Sequence, residues 1–282
     1  LQERLLPVND ETVAGLRLFY DAEQQEAARM VRMACEGSVR LFHQRWELAA
    51  PEDCRVYVMT SWLSFLFHSA PWHWKVYLAL TLPLVARRAS RIWPYAGGWS
   101  LQFGRRRVVG VKPPHLIQSA NRKLGEQIFT QDRDLSEKVQ TITCHELVHA
   151  FTFHLKLPTW LQEGLATLAM EYYLDRHIVR RETLESLLHP SPPHTVSATE
   201  KLRVEDPQAL IAQYVRGYWL TRYIEETRPQ MLKDLLSKRH KREEIEEKVA
   251  SAFGKDRGDF WKNVDEELRS VWEKSVLSSA ST

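Results

Sequence analysis

The sequence predicts an α+β fold, and three observations carry that prediction. Strand-like runs of alternating, β-branched or aromatic residues are confined to the first part of the chain: Leu16–Tyr20, Arg55–Met59, Trp99–Phe103 and Arg107–Val111. From Asp134 onward the apolar residues recur almost entirely at helical spacing. The chain has 282 residues, 44% hydrophobic and 27% charged. That is enough to bury a core in one large domain or two small ones. A collagenous, low-complexity or fully disordered chain is excluded.

The elements follow in order. Leu16–Tyr20 reads as a first strand. Ala22 to Leu48 is helical, with Ala27, Val31, Ala34 and Leu41 on one face. Ala50–Asp53 is a connector into the strand Arg55–Met59. Val76–Ala86 is the most apolar run, eleven residues between Lys75 and Arg87-Arg88. A spanning helix needs about 20 such residues, and Pro83 interrupts this one. It reads as a buried helix or cleft wall. The alternative is an interfacial segment with Trp72, Trp74 and Trp93 near its ends.

Trp99–Phe103 and Arg107–Val111 flank a short turn at Gly104 and form a hairpin. Arg105–Arg107 would be solvated at that turn, and Pro113-Pro114 would make the second strand an edge strand. Asp134, followed three residues later by Glu137, starts a helix in the manner of a capping box. Helices are predicted over 135–156, 159–175, 179–189, 207–227, 229–239, 241–253 and 257–276. The Pro- and Ser-rich stretch Leu188–Ala198 is a loop and a candidate internal boundary. The implied organisation is an extension over 1–14, an α+β subdomain over 15–156, a helical subdomain over 157–274 and a flexible tail over 275–282.

Charge and cysteine content exclude some functions. Lys and Arg number 39 against 36 Asp and Glu, a net charge of +3. The strong basic excess of a nucleic-acid binder is missing, and the basic clusters read as solvated faces. Cys35, Cys54 and Cys144 match no zinc finger and cannot form a dense disulfide framework, although a Cys35–Cys54 bridge stays open. No signal peptide is visible, while the start at Leu1 suggests a trimmed upstream segment. The reading leans to an extracytoplasmic or membrane-attached protein, with peripheral membrane association and the oligomeric state left open.

The sharpest signal is His145-Glu-Leu-Val-His149. Residues four apart share a helix face, so both imidazoles can reach one metal ion. Neutral imidazole nitrogen suits Zn²⁺, and the metal lowers the pKa of its water toward roughly 7. Glu146 is placed to take that water's proton. Cys144 points about 100° away from His145 and reads as a buried, inert thiol.

Catalytic zinc takes three protein ligands and leaves one position open. Glu163, in Pro158-Thr-Trp-Leu-Gln-Glu163-Gly-Leu-Ala166, can supply the third. A turn near Leu155–Pro158 would bring its helix back toward the metal, and Gly164 permits close helix approach. In the pattern HExxHxxGxxH the third His would fall at Leu155 and the Gly at Thr152. His154 is one residue off and reads as a packing or surface residue. Glu171, two turns beyond Glu163, is a rival ligand but reads rather as a supporting or solvated group.

HELVHA followed by LPTWLQEGLA resembles the gluzincins, specifically the peptidase MA-like group. The looser resemblance spans roughly residues 15–270. It includes the strand–helix–strand of Leu16–Met59, Gly97-Gly98-Trp99, the run Tyr214–Tyr223, and Glu243–Leu268 with its Ala252-Phe-Gly254 and Phe260-Trp261. The resemblance implies a zincin-like fold, with a small N-terminal sheet, helices above an active-site helix and a mostly helical C-terminal half. It implies one zinc per chain on His145, His149 and Glu163, and Glu146 as general base and acid. Tyr214 or Tyr218 would stabilise the tetrahedral oxyanion, or else serve helix packing. Thr167 departs from the family, which often carries an acid there.

The reading is a zinc-dependent metallopeptidase acting on a peptide or protein, which could pair by strand addition with the strand Arg107–Val111. Substrate would lie between the sheet-bearing and helical parts. The alternative is a catalytically silent binding or scaffold module of the same fold. An intact Glu146 argues against it, since a scaffold has no use for the base. A structural zinc site is a third reading, opposed by the open fourth position.

Overall fold

The computed structural model describes residues 9–117, 128–130, 132–183, 207–258 and 260–279. The architecture is α+β, with one five-stranded mixed sheet among the described residues. The strands are β1 (Asn9–Val13), β2 (Leu16–Tyr20), β3 (Cys54–Val58), β4 (Gly98–Phe103) and β5 (Arg106–Val111). Their order across the sheet is β1-β2-β3-β5-β4. β1 and β4 are antiparallel to their neighbours, while β2, β3 and β5 run parallel.

The helices of the first part are α1 (Gln25–Trp46), α2 (Trp62–Ser69), α3 (Trp72–Ile92) and the single turn α4 (Pro114–Ile117). Later come α5 (Leu135–Thr152), α6 (Thr159–Leu174), α7 (Pro207–Thr227), α8 (Pro229–Ser237), α9 (Arg242–Ala252) and α10 (Phe260–Ser279). No helix among the described residues is long and apolar enough to cross a membrane.

The chain divides into two units. The first comprises Leu1–Lys123, Gln131–Phe153 and Ala169–Arg176. Its sheet alternates cleanly. Leu18, Val56 and Val109 are in register and share one face. α1 and α5 cover that face, and meet each other through Phe42 and Phe151, ring centroids 5.1 Å apart. The opposite face carries Phe19, Tyr57 and Val108 and packs on α2 and α3 through an aromatic cluster. Trp74 of α3 meets Phe103 edge-on at 5.6 Å. Gly110 leaves room for Phe65, since a Cβ there would stand 2.7 Å from its ring. Parallel strands covered on both faces explain why β3 and β5 read as nearly continuous apolar runs.

The second unit comprises Leu124–Thr130, His154–Leu168 and His177–Thr282. It is mainly helical. α6 and α7 cross at Gly164 and Gly217. A Cβ on Gly164 would stand 2.2 Å from the Gly217 carbonyl oxygen, and one on Gly217 would stand 2.4 Å from that of Trp160. Only glycine permits backbones this close. Trp160 is buried against Phe260 and Trp261. Arg216 pairs with Asp265 at 2.6 Å, tying α7 to α10.

Several expectations need correction. Residues 9–13, read as part of an extension, form β1. Ala14 and Gly15, at φ 48° and 84°, make the tight turn that returns the chain into β2. Gly15 marks a turn, but Ala seldom takes positive φ, so the pair lacks the Asn-Gly or Asp-Gly signature of such a hairpin. β5 lies inside the sheet, and β4 carries the edge. The Val76–Ala86 run is no buried helix: Val76, Leu80 and Leu84 are exposed on α3, while Trp74 packs inward with Trp93. Of the three turn arginines only Arg105 is solvated. Arg106 donates to Asp53 at 3.0 Å and Arg107 to the Gly104 carbonyl at 2.8 Å.

The described part of the 179–189 segment holds a bridge, Val179 to Phe129, and a short 3-10 turn rather than an α-helix. Its remainder and the Leu188–Ala198 loop lie outside the described residues. α10 continues to Ser279, into the segment read as a tail. All three cysteines are free and buried, so Cys35 and Cys54 do not pair. Burial pushes the Cys54 and Cys144 thiols up to about 12, which makes them poor nucleophiles.

Candidate metal centre

α5 starts where the sequence places it. The Asp134 carboxylate accepts from the Glu137 backbone N–H at 2.8 Å, and the Glu137 carboxylate accepts from that of Arg133 at 3.1 Å. The helix buries its own Val139, Thr143, Cys144, Leu147, Val148, Ala150 and Phe151. His149 is buried and His145 half-buried. Their Nε2 atoms stand 3.1 Å apart. Two nitrogens bound to one tetrahedral ion at about 2.0–2.1 Å stand about 3.3 Å apart. The observed spacing is close to that.

After α5 the chain makes a 3-10 turn at Phe153–Leu155. Lys156 then adopts φ 51°, which reverses the chain. The carbonyl of Pro158 accepts the first N–H groups of α6 from Leu161 and Gln162, both at 3.0 Å. One turn in, Glu163 is buried at 5% exposure. One ligand atom from each of His145, His149 and Glu163 lies within 4.8 Å of the others. Two imidazole nitrogens and one buried carboxylate are the donor set of an N/O metal site. The buried carboxylate fits a cation, because a buried charge requires compensation.

Glu146 sits between the histidines in sequence and turns toward the sheet. A Cβ on Gly98 would stand 2.6 Å from Glu146 Cγ, so the first residue of the edge strand β4 leaves room for this side chain. Gly97 does the same for Ile142. Glu171 is buried but lies outside the group of three, Thr167 is buried, and His154 is exposed.

Tyr214 and Tyr218 stand on α7, one turn apart. Tyr218 is buried, its ring against Trp219 at 4.9 Å. Its Oη accepts from Arg222 Nη1 at 2.8 Å. Arg222 also reaches His177 Nδ1 at 2.9 Å and Glu226 at 2.7 Å. Burial works against the Arg222 cation, yet Tyr218 and Glu226 hold its pKa above the ordinary value. Sequence reasoning assigned no role to Arg222 or His177. The Tyr218–Arg222 spacing of four was visible on the helix, whereas the His177 contact joins distant segments.

No protein-family model matches this chain, and neither a curated protein nor a solved structure matches it.

Proposed function

We propose that this protein is a zinc-dependent metallopeptidase with a zincin-like fold, of the gluzincin, peptidase MA-like kind. The convergence of His145, His149 and Glu163 within 4.8 Å, with Glu146 between the two histidines, carries the reading. His145, His149 and Glu163 would hold one zinc. When bound, that ion would acidify a water toward a pKa of about 7 and polarise the scissile carbonyl.

The remaining chemistry belongs to the chain. Glu146 takes the proton of the attacking water and returns it to the leaving amine. Gly98 gives its side chain room beside the edge strand. The outer edge of β4, with no further strand beside it among the described residues, would offer backbone N–H and C=O groups to an extended peptide in place of Arg107–Val111, which lies inside the sheet. Tyr218, its Oη held by Arg222 Nη1 at 2.8 Å, or Tyr214, one turn away on α7, would donate to the developing oxyanion.

The test is zinc content together with peptide turnover. Wild type holds about one zinc per chain, and His145→Ala or His149→Ala loses it. Glu146→Gln keeps the zinc and the fold while peptide hydrolysis falls by about 10²–10⁴-fold. Full activity in Glu146→Gln defeats the mechanism. Zinc-loaded wild type that cleaves nothing in a broad peptide library favours the silent binding module.

A further inference from the structure

The outward face of α3 has no part in the hydrolytic reading. Trp72, Val76, Leu80 and Leu84 recur every four residues and are 78%, 57%, 79% and 77% exposed. Tyr77, 57% exposed, lies beside them. Spacing by four makes this a single stripe, about 18 Å long at the helical rise. The stripe is not the side of a loosely held helix. The opposite face presents Trp74, Leu78 and Val85 to the aromatic cluster on the sheet. Contiguous exposed apolar surface of this kind marks an interaction site.

The surrounding charge selects the occupant. Lys75, Arg87 and Arg91 are exposed on the same helix, and none forms an ion pair among the described residues. From Cys54 to Gly125 the chain has no Asp or Glu but eleven Lys and Arg. Two copies meeting through this face would bring cations together and gain no ion pair. An anionic surface complements it. The rings fit a lipid headgroup layer in particular: Trp72, Tyr77 and, beyond the helix end, Tyr95 at 62% exposure are side chains that settle at a membrane–water interface. The helix is not apolar enough to span. It can lie in the plane of the surface, its stripe among the acyl chains and its arginines at the phosphates.

We propose that α3 docks the protein onto an anionic lipid surface, with Trp72, Val76, Leu80 and Leu84 inserted and Arg87 and Arg91 held by lipid phosphates. The proposal is independent of the peptidase reading, and its test needs no activity.

The experiment is vesicle flotation of the whole chain with phosphatidylcholine alone and with added phosphatidylglycerol. Wild type floats with the anionic vesicles and less so at high salt. Leu80→Glu/Leu84→Glu lowers the apparent affinity more than tenfold. Arg87→Gln/Arg91→Gln lowers it about 30-fold on anionic vesicles only. Unchanged circular dichroism and thermal midpoint show that each variant is folded; should Leu80→Glu/Leu84→Glu misfold, Leu80→Ser/Leu84→Ser replaces it. The proposal is overturned by no flotation of wild type with anionic vesicles, equal flotation with neutral ones, or unaltered flotation of the folded leucine variant. A dimer split by Leu80→Glu, without vesicle binding, overturns it in favour of self-association.

Discussion

α3 and α5 belong to the same unit, pack on opposite faces of one sheet, and break the usual partition of side chains in opposite ways. α3 contains the most apolar run of the sequence and leaves Leu80 and Leu84 more than three-quarters exposed. α5 carries His145, Glu146 and His149 within little more than one turn, and most of its side chains from Val139 on are buried. Water normally draws polar groups out and drives apolar groups in. A bound cation would compensate the inversion in α5, and an apolar phase would cover the one in α3.

The largest expected effect is the 10²–10⁴-fold loss of turnover in Glu146→Gln, roughly the span of general acid–base catalysis. An equal loss in Leu80→Ser, assayed without lipid, would break the division of labour between the helices. Next comes Tyr218→Phe. If its hydroxyl meets the oxyanion, kcat falls by about 10²-fold with KM nearly unchanged. Tyr214→Phe then changes little. The reverse ranking would assign the donor to Tyr214 and leave Tyr218 to packing.

Stability gives the third contrast. Leu147 of α5 is fully buried and Leu80 of α3 is 79% exposed. Leu147→Ala is expected to cost about 2–5 kcal/mol in denaturant unfolding, and Leu80→Ala no more than about 0.5 kcal/mol. Similar costs would mean that another part of the chain covers the α3 stripe.

The smallest effect concerns Lys112, at the end of β5. Burial alone lowers its pKa to about 8. It is 2% exposed, with its ammonium 4.2 Å from the Trp93 ring centroid and donating to the Trp93 carbonyl. Between about pH 8 and the ordinary lysine value near 10.4, the unfolded chain holds this proton and the folded chain does not. Stability from this group therefore rises with pH across that window. Lys112→Met removes the rise, which unfolding curves taken across the window would register.

Much of the candidate site was legible in the sequence because its geometry is local. Two histidines four apart on a helix need only that helix to converge, and Asp134 with Glu137 marks where it begins. Glu163 needed one further element, the turn before Pro158, and that turn is short. Gly164 announced a close helix crossing but not its partner. Gly217 is more than fifty residues away, and nothing in its neighbours names Trp160. The β4–β5 hairpin was legible for the same local reason, with Gly104 at φ 61° in its turn.

Local pattern alone specifies the α+β class, the strands β2, β3, β4 and β5, the span of α7, and the spacing that lets His145, His149 and Glu163 meet. These rest on periodicity, capping and turn chemistry within a few residues. The tertiary structure decided that β1 joins the sheet, that β5 is interior and β4 the edge, that Arg222 meets both Tyr218 and His177, and that α3 turns its leucines outward. Periodicity states which side chains share a face of an element. It does not state which other element, if any, covers that face, because pairing across tens or hundreds of residues leaves no local pattern.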